Sequence, residues 1–408
     1  MDKNSMSKIT ERFFRYISVD TQSDETTGTH PSTPGQFTLC RLLADEMREM
    51  GVSNVRMDEE HCYVYGEIPA NTDTDRTLGF IAHMDTAAGP SGDASGSRIV
   101  RDYDGGVIAL SDEVSLDPEI FPDMMNYIGQ DLIVTDGVSL LGCDDKAGVA
   151  EIMTMAERLL SDPEIKHGKI AIGFTSDEEI GNGADFFDIE GFGVEYAYTV
   201  DGGAIGEIEY ENFNAATAFI SIKGNQIHPG TAKGRMVNAA RIAGEFDRLL
   251  PQEQRPEITE GYEGFFHLIF INAGVGYAEM QYLIRDHDTD LFEKKKLLMR
   301  SAADYINAKY DGALMLEIRD TYYNMKELIE PHMFLIDDAK AAFEACGVQP
   351  KVIPIRGGTD GAALSYRGLP CPNLPTGGHN FHGTHEYLPV QSLEKMADVL
   401  VEIARIKD

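Results

Sequence analysis

The spacing of hydrophobic residues in the first part of the chain predicts helices that alternate with strands. Apolar residues at helical spacing predict helices near the N-terminus (Ile9, Phe13, Phe14, Ile17), at about 34–50 and at 145–160. Short apolar runs of strand length occur at 77–83, 168–175 and 196–200. Buried strands that alternate with helices favour an α/β domain with a largely parallel central sheet flanked by helices.

The pattern changes after about residue 206 and returns to its first form after about residue 327. Strands are predicted at 206–223, 265–272, 278–285 and 312–320, and helices at 235–250 and 289–309. A helix through Cys346, a strand at 351–355 and a last helix from about 391 follow. We therefore expect a discontinuous catalytic domain of residues 1–212 and 327–408, interrupted by a smaller inserted α+β domain of residues 213–326.

The net charge of the chain limits the classes of partner that it can bind. Its 408 residues carry 68 Asp and Glu against 35 Lys and Arg, a formal net charge of −33. Phosphate backbones and anionic membrane surfaces would repel such a chain, so we expect neither nucleic-acid binding nor membrane association. No apolar stretch reaches the length of a signal peptide or a membrane span, and the five cysteines are scattered without a CxxC pair. These features favour a reduced, cytoplasmic location.

Common catalytic motifs are absent, and the chemistry must come from other residues. The sequence has no P-loop, no GxGxxG after a strand, no GxSxG and no HExxH. It has instead five polar segments, most of which follow predicted apolar strands: IAHMD (81–85), LGCDDKAG (141–148), TSDEEIG (175–181), TVDGG (199–203) and GGHNFHGTHEY (377–387).

Each polar segment also has a plain structural interpretation, and their combination is more informative than any one of them. Asp144 and Asp145 precede a helix, where one of them could serve as an N-cap and leave the other as a ligand. Asp85 stands two residues after His83 on one face of a strand and could fix its tautomer. Ligands of α/β sheets bind at the carboxyl ends of the strands, where these groups would converge.

The ligand inventory suits a pair of metal ions. It contains imidazoles and carboxylates but no thiolate pair, as in hydrolytic zinc or cobalt sites. Two histidines and three carboxylates would serve two metals that share one carboxylate. Glu178, beside Glu179, is then free to move a water proton. The residues alone leave open which of His379, His382 and His385 is the ligand.

The same segments, in this order, resemble the M20 family of co-catalytic metallopeptidases. Two further stretches, HPGTAKGRMVNA (228–239) and RGGTDGA (356–362), extend the resemblance over essentially the whole chain. It implies a metal-dependent aminopeptidase that releases the N-terminal residue from tripeptides, by attack of a metal-bridging water that a Glu base activates. It also implies two Zn²⁺ per subunit, with Co²⁺ or Mn²⁺ as substitutes, and short peptides as substrates.

The resemblance assigns roles residue by residue. His83 and Asp201 would ligate the first metal, Glu179 and His382 the second, and Asp144 would bridge both. Asp85 would orient His83, and Glu178 would be the general base. His382 is preferred over His379 and His385 because the ligand of the family precedes the glycine of the H-G-x-H-E element. Cys143 departs from the pattern, since a small residue, commonly Ala, is expected there; we expect it to pack as a small apolar side chain.

The inserted domain would be the lid or dimerisation domain of the family, which implies a homodimer. Its His228 would polarise the substrate carbonyl, and Asn238, Arg285 and Arg356 would bind the peptide backbone or its carboxylate. Ion pairs at the surface or between domains are the structural alternative for the two arginines.

Other functions remain compatible with the residues. A dipeptidase, a carboxypeptidase or an N-acyl-amino-acid deacylase of the same family would use the same metals on another substrate. A non-catalytic metal-binding protein of this fold would have lost the base, but Glu178 is present. A calcium-binding acidic surface is disfavoured by the histidines, because calcium prefers oxygen ligands.

Overall fold

The computed structural model describes residues 6–406 and separates into two compact units. Unit 1 contains the described residues up to Tyr210, Leu328–Ile353 and the described residues from Thr359 onward. Unit 2 contains Glu211–Glu327 and the short segment Pro354–Gly358. The sequence pattern assigned 354–358 to the catalytic domain, but the Ile355 N–H donates to the Glu211 carbonyl of unit 2 at 2.8 Å.

The predicted helices lie close to their expected positions, and three short helices that were not predicted occur in addition. In chain order the helices are α1 (Lys8–Ile17), α2 (Gly35–Met50), α3 (Cys143–Ser161), α4 (Ile189–Phe192), α5 (Ala239–Leu249), α6 (Thr289–Lys309), α7 (Lys326–Ile329), α8 (Phe334–Ala345), α9 (Asp360–Tyr366) and α10 (Val390–Ala404). The three that were not predicted are α4, α7 and α9. The start of α5 is four residues later than predicted because Asn238 caps it, with its side chain accepting from the Arg241 N–H at 3.2 Å. No helix within residues 6–406 combines the length and the apolar character needed to cross a membrane.

The strands form one large sheet in each unit and several short pairings. In chain order they are β1 (Ser53–Asp58), β2 (Tyr63–Ile68), β3 (Thr77–His83), β4 (Arg98–Val100), β5 (Ile108–Ala109), β6 (Ser115–Leu116), β7 (Leu132–Val134), β8 (Lys169–Thr175), β9 (Ala197–Gly202), β10 (Glu207–Ile208), β11 (Asn214–Lys223), β12 (Phe265–Ala273), β13 (Tyr277–Asp286), β14 (Leu314–Tyr322), β15 (Lys351–Val352), β16 (Asn373–Pro375) and β17 (Tyr387–Pro389). The predicted strand 351–355 shortens to β15 because the chain enters unit 2 at Pro354.

The central sheet of unit 1 has the strand order β1-β2-β8-β3-β9-β16. Strands β8, β3, β9 and β16 are parallel, whereas β1 and β2 form an antiparallel hairpin at one edge. The predicted α/β class with a largely parallel sheet is therefore confirmed. The hairpin was not predicted, because the β1 segment SNVRMD is polar and only partly buried.

Helix α3 lies against the central sheet and is buried along most of its length. It contacts β3 and β9 on one side, and α1 and α10 on others. Because neighbours surround it, α3 is apolar on nearly every face rather than on one stripe. Its first residues stand at the carboxyl ends of the parallel strands, since Asp145 accepts a hydrogen bond from the last residue of β3.

Unit 2 is built on an antiparallel sheet of order β12-β13-β11-β14. Buried and partly exposed residues alternate along β13, as expected when helices cover one face of a sheet. Helices α5 and α6 supply that cover, and their Phe246, Phe292 and Ile306 belong to the same apolar core as Ile220 and Tyr282. Unit 2 by itself is thus a compact α+β module.

Candidate metal centre

Two neighbouring strands of unit 1 bring His83 and Asp201 together. Strand β3 ends at His83, and β9, its parallel neighbour, carries Asp201 near its own carboxyl end. The His83 Nε2 lies 3.2 Å from Asp201 Oδ1 and 2.9 Å from Asp144 Oδ1. Three groups from separate parts of the sequence therefore surround one point at the edge of the sheet.

Asp144 faces this point and also a second one. Its Oδ1 approaches His83, and its Oδ2 lies 3.0 Å from the Nε2 of His382. The backbone of Asp144 and Asp145 is not helical, although both residues stand at the start of α3. Asp145 does not cap the helix, since its Oδ2 accepts the backbone N–H of His83 at 3.0 Å and its Oδ1 has no hydrogen-bond partner among the described residues.

Glu179 and His382 complete the second group. The Nε2 of His382 lies 3.0 Å from Glu179 Oε2, and Glu179 Oε1 accepts the Ala87 N–H at 2.9 Å. Glu179 belongs to a 3₁₀ turn shortly after β8, and His382 has a positive φ of 63° in the loop that leads to β17. The structure thus brings a loop from the last part of the chain to the end of the central sheet.

The ligand atoms fall into two sets that share Asp144. His83, Asp144 and Asp201 form one set, and Asp144, Glu179 and His382 form the other; within each set the atoms lie within 4.8 Å of one another. We call them site 1 and site 2. Imidazole and carboxylate ligands at this spacing suit zinc or a similar divalent ion, and a carboxylate with one oxygen in each set suits a bridging ligand.

Asp85 contacts residues of both sites but belongs to neither ligand set. Its carboxylate is fully buried and lies 3.4 Å from Nδ1 of His83, whose Nδ1 is also 3.0 Å from the Asp85 carbonyl oxygen. The same carboxylate accepts the backbone N–H groups of Glu178 and Glu179 at 3.1 Å each. Asp85 therefore orients the imidazole of site 1 and fixes the turn that carries the carboxylate of site 2.

Glu178 is close to both sites but belongs to neither set. Its Oε2 is 4.0 Å from the His83 Nε2, and its side chain is only 16% exposed. Burial and the nearby Asp201 raise the pKa of Glu178 well above its ordinary value. A carboxyl group that holds a proton readily, beside ligand atoms rather than among them, has the properties of a general acid–base group.

The carboxylates of the two ligand sets are crowded and buried, which shifts the pKa values of the groups around them. Burial raises the pKa of Asp201 well above its ordinary value, and burial and Asp144 raise that of Glu179. Burial alone would lower the pKa of His83, but Asp201 and Asp144 outweigh it and raise that pKa well above its ordinary value. The Asp144 and Glu179 carboxylates raise the pKa of His382 to about 11. Divalent cations would relieve this crowding of carboxylates, so the residues present fit a metal pair.

A cavity of about 850 Å³ opens beside site 2 within unit 1. Its wall includes Glu179 and His382, and the segment between residues 20 and 35 forms much of the rest. Asp20, Asp24 and Glu25 are exposed there, and neither Lys nor Arg is among the lining residues. The cavity is therefore strongly acidic and large enough for a short peptide.

The other residues of the histidine loop have structural partners. The His379 Nε2 lies 2.7 Å from the Tyr127 hydroxyl, and its ring stacks on Tyr387 with centroids 4.7 Å apart. His385 packs against Phe121 with ring centroids 5.1 Å apart. Burial lowers the pKa of His379 to about 4. Neither histidine belongs to the two ligand sets.

The four proposed substrate-binding residues all lie in unit 2. His228 is exposed and its Nδ1 accepts the Gly230 N–H, while Asn238 caps α5. Arg285 donates to the carbonyl oxygens of Ala216 and Ile284. The Arg356 guanidinium donates to the carbonyl oxygens of residues 259, 261 and 263 and stacks on Phe213 and Phe265. Carbonyl groups thus replace the carboxylate partners expected for surface ion pairs.

Several buried polar residues near the centre were not singled out from the sequence. Glu386 accepts the N–H groups of Leu141 and Gly142, and Glu209 accepts from the Asn373 amide, whose oxygen accepts the Asp201 N–H. Asp360 accepts from the Thr175 hydroxyl at 2.9 Å. The sequence signal for Glu386 is its place directly before the apolar YLP run that forms β17.

Comparison with known proteins places these features in a family. Residues 210–313 match the model of the peptidase dimerisation domain. The chain is 50% identical to peptidase T of Alkaliphilus oremlandii over 407 residues, which cover 98% of this chain and 99% of that protein. It is 51% identical to peptidase T of Vibrio parahaemolyticus over 405 residues, covering 98% of each.

Solved structures show the same fold over nearly the whole chain. The aminopeptidase PepT of Bacillus cereus superposes with a TM-score of 0.77 at 25% identity and covers 97% of both chains. A dinuclear metal-binding peptidase of the M20 family from Bacillus subtilis superposes with a TM-score of 0.65 at 15% identity, covering 97% of this chain and 96% of that one.

Proposed function

The chain belongs to the peptidase T family of M20 peptidases, and from that premise we propose that it is a tripeptide aminopeptidase that works with two zinc ions. The observation that carries the proposal is the pair of ligand sets joined by Asp144, with Glu178 beside them. His83, Asp144 and Asp201 would hold one zinc, and Asp144, Glu179 and His382 the other. Cobalt or manganese would substitute, since the ligands are nitrogen and oxygen.

The reaction is hydrolysis of the first peptide bond. Metal ions held by these residues would acidify a water molecule as the nucleophile and polarise the scissile carbonyl. Glu178 takes the proton of that water and later delivers it to the leaving amine. Its position supports both steps, because its carboxyl group lies beside the ligand atoms of site 1 and belongs to neither ligand set. Asp85 keeps the His83 ring oriented through the Nδ1 atom while this occurs.

The acidic cavity supports cleavage at the amino end of the peptide. Asp20, Asp24 and Glu25 attract a cationic α-amino group and repel a carboxylate. An N-acyl amino acid has no such cation, and the C-terminus of a carboxypeptidase substrate carries the wrong charge. The lining therefore favours an aminopeptidase over a deacylase or a carboxypeptidase.

Unit 2 supplies the remaining substrate contacts in this proposal. His228 stabilises the oxyanion of the tetrahedral intermediate, and Asn238, Arg285 and Arg356 bind the peptide backbone or its carboxylate. We also place the contact of a homodimer in unit 2. The match to the dimerisation domain and the exposed Phe270 and Ile271 on the edge strand β12 support it.

Rates on three substrate types test the proposed specificity. Ala-Ala-Ala should be hydrolysed to Ala and Ala-Ala, whereas Ala-Ala and N-acetyl-alanine should be poor substrates. Removal of metal by a chelator should abolish the activity, and zinc should restore it. A protein shown to be metal-free that keeps full activity would overturn the mechanism, and faster hydrolysis of Ala-Ala would make it a dipeptidase.

The variant Glu178→Gln separates proton transfer from metal binding. Because Glu178 lies outside both ligand sets, the variant should retain two metals per chain while kcat falls by roughly 10³-fold. Glu179→Gln is the matched control, since it changes a ligand and should release the metal of site 2. Undiminished turnover by Glu178→Gln would exclude Glu178 as the base.

A further inference from the structure

Site 2 takes Glu179 from the turn after β8, and its other two ligands come from distant parts of the chain. Asp144 stands at the start of α3, and His382 lies in the loop before β17. The position of each must be set to within a fraction of an ångström for a metal to bind tightly. Some contact other than the metal must therefore hold these two segments together.

Glu386 makes that contact. It stands four residues after His382, and its side chain is buried, with the residue only 1% exposed. Its Oε2 accepts the backbone N–H groups of Leu141 and Gly142, the latter at 2.8 Å. Its Oε1 accepts the thiol of Cys143 at 3.4 Å. One carboxylate thus gathers three donors from the residues directly before Asp144.

The rest of the histidine loop is secured elsewhere. The His379 and Tyr387 backbones exchange hydrogen bonds of 3.0 and 3.2 Å, and the Thr135 hydroxyl donates to the Thr384 carbonyl at 2.6 Å. Strand β17 pairs with β7. These bonds tie the loop to itself and to the small sheet β17-β7-β4, whereas the Glu386 bonds tie it to the turn of the bridging ligand.

We propose that Glu386 is a positioning residue of site 2, whose carboxylate clamps the 141–143 turn to the histidine loop and so sets the distance between Asp144 and His382. The proposal rests on the metal centre proposed above. Cys143 acts with Glu386 as the third donor, which gives this residue a role that an alanine at the same position could not fill.

Site 1 offers a matched control of similar construction. Its ligand Asp201 donates its backbone N–H to Asn373 Oδ1 at 3.1 Å, and the Asn373 amide donates to Glu209 Oε2 at 2.7 Å. Glu209 is 7% exposed, so it is a buried carboxylate of unit 1 like Glu386. A general effect of altering a buried carboxylate would appear in variants of both residues. Loss of the clamp instead displaces mainly the histidine loop and so acts mainly on site 2, because the contact of Asp145 with the His83 N–H keeps the Asp144 segment fixed to site 1.

The test is a titration of metal-depleted protein with Co²⁺, followed by calorimetry and by the visible absorption of the bound ion. Glu386→Asp keeps the carboxyl group but shortens its reach. We expect it to raise the dissociation constant of one of the two metals about tenfold, within the range known for outer contacts of metal sites. The other metal should keep its affinity to within about twofold. Glu386→Ala should weaken the same metal by up to about 100-fold, and Cys143→Ala by a smaller factor.

Three controls make the outcome decisive. His382→Ala identifies which of the two Co²⁺ binding steps and absorption bands belongs to site 2. Glu209→Asp should leave that step unchanged. Circular dichroism and the thermal midpoint show whether each variant is folded. If Glu386→Ala does not fold, the titration of Glu386→Asp still tests the proposal.

Two results would contradict the clamp, and a third would contradict the metal centre. A folded Glu386→Asp protein that binds both metals normally would overturn the clamp. So would equal weakening of both metals, because a general loss of stability would then account for it. Wild-type protein that binds fewer than two Co²⁺ ions would instead overturn the proposed metal centre.

Discussion

Sites 1 and 2 share Asp144 and similar ligand types, but they are built from different kinds of structure. The imidazole of site 1 belongs to His83, the last residue of a central strand, and is 2% exposed. The imidazole of site 2 belongs to His382, in a loop with a positive φ, and is 55% exposed. The first site is therefore part of the core of unit 1, and the second depends on the position of a surface loop.

The surroundings of the two sites extend this difference. His83 has its Nδ1 fixed by Asp85 and its backbone N–H by Asp145, so the ring is held from two sides. In site 2 the carboxylate of Glu179 has such direct support, from Asp85 and Ala87, whereas the contacts of Glu386 hold the loop of His382 and not its ring. Because local opening is easiest where few buried contacts resist it, we expect the metal of site 2 to bind more weakly and exchange faster.

Removing Asp144, the ligand that both sites share, should abolish metal binding at both and so remove the difference in affinity between them. Asp144→Asn should lose both metals, since each set depends on one of its oxygens. Hydrolysis should fall on the order of 10⁴-fold, because the metals supply several kcal/mol of transition-state stabilisation. Metal content and tripeptide turnover are the measurements.

The neighbouring residue provides the control for this variant. Asp145→Asn should retain both metals, because the asparagine oxygen can still accept the His83 N–H. Asp144→Asn protein that keeps two metals would show that the sites do not share a bridging carboxylate.

Removing the imidazole of one site at a time should show how differently the two sites contribute to the stability of the metal-free fold. His83→Ala and His382→Ala should each bind a single metal, but the first should destabilise the metal-free fold more than the second. His83 is buried among carboxylates, so we expect its loss to cost about 3 kcal/mol of unfolding free energy. The loss of His382 should cost less than that of His83, because its ring is 55% exposed and water can take its place beside Asp144 and Glu179. Urea unfolding of metal-free protein measures both values, and equal losses would mean that site 2 is as embedded as site 1.

The strand pattern of the sequence predicted that His83 and Asp201 would meet, although their assignment to one metal came from the family resemblance. Apolar runs deliver His83 and Asp201 to the ends of neighbouring strands, and a parallel sheet places those ends at one edge. The parallel sheet itself follows from the alternation of buried strands and helices. The arrangement is encoded locally, so no knowledge of distant contacts was needed to expect these residues to meet.

Site 2 was harder to predict from the residues alone. Three histidines lie within 377–387, and the family resemblance, not the spacing, selected His382. The contact of Glu386 with Leu141 joins residues 245 positions apart and leaves no periodic trace in the sequence. The 354–358 segment was misassigned for the same reason, because its partners in unit 2 lie far away along the chain.

The last prediction concerns Glu151, a carboxyl group on α3 that belongs to neither ligand set. Both side-chain oxygens of Glu151 are buried without a hydrogen-bond partner among the described residues, and burial raises its pKa well above the ordinary value. The folded protein therefore keeps a proton that the unfolded chain releases above pH of about 4.3. Its contribution to stability is fully present below that pH and is lost as pH rises toward the folded pKa, by at most about 1.4 kcal/mol per pH unit.

The variant Glu151→Gln removes this titration and should gain stability relative to the wild type as pH rises from about 5 to 8. Glu157→Gln on the same helix is the control, because the ion pair of Glu157 with Lys8 lowers its pKa and it is already ionised throughout that range. Its stability difference from the wild type should therefore be constant. Urea unfolding across this range measures both differences. If the stability difference between Glu151→Gln and the wild type stays constant with pH, Glu151 has a cation or a donor beside it in solution, like the carboxylates of the metal sites. The distinction between paired and unpaired buried carboxylates would then fail.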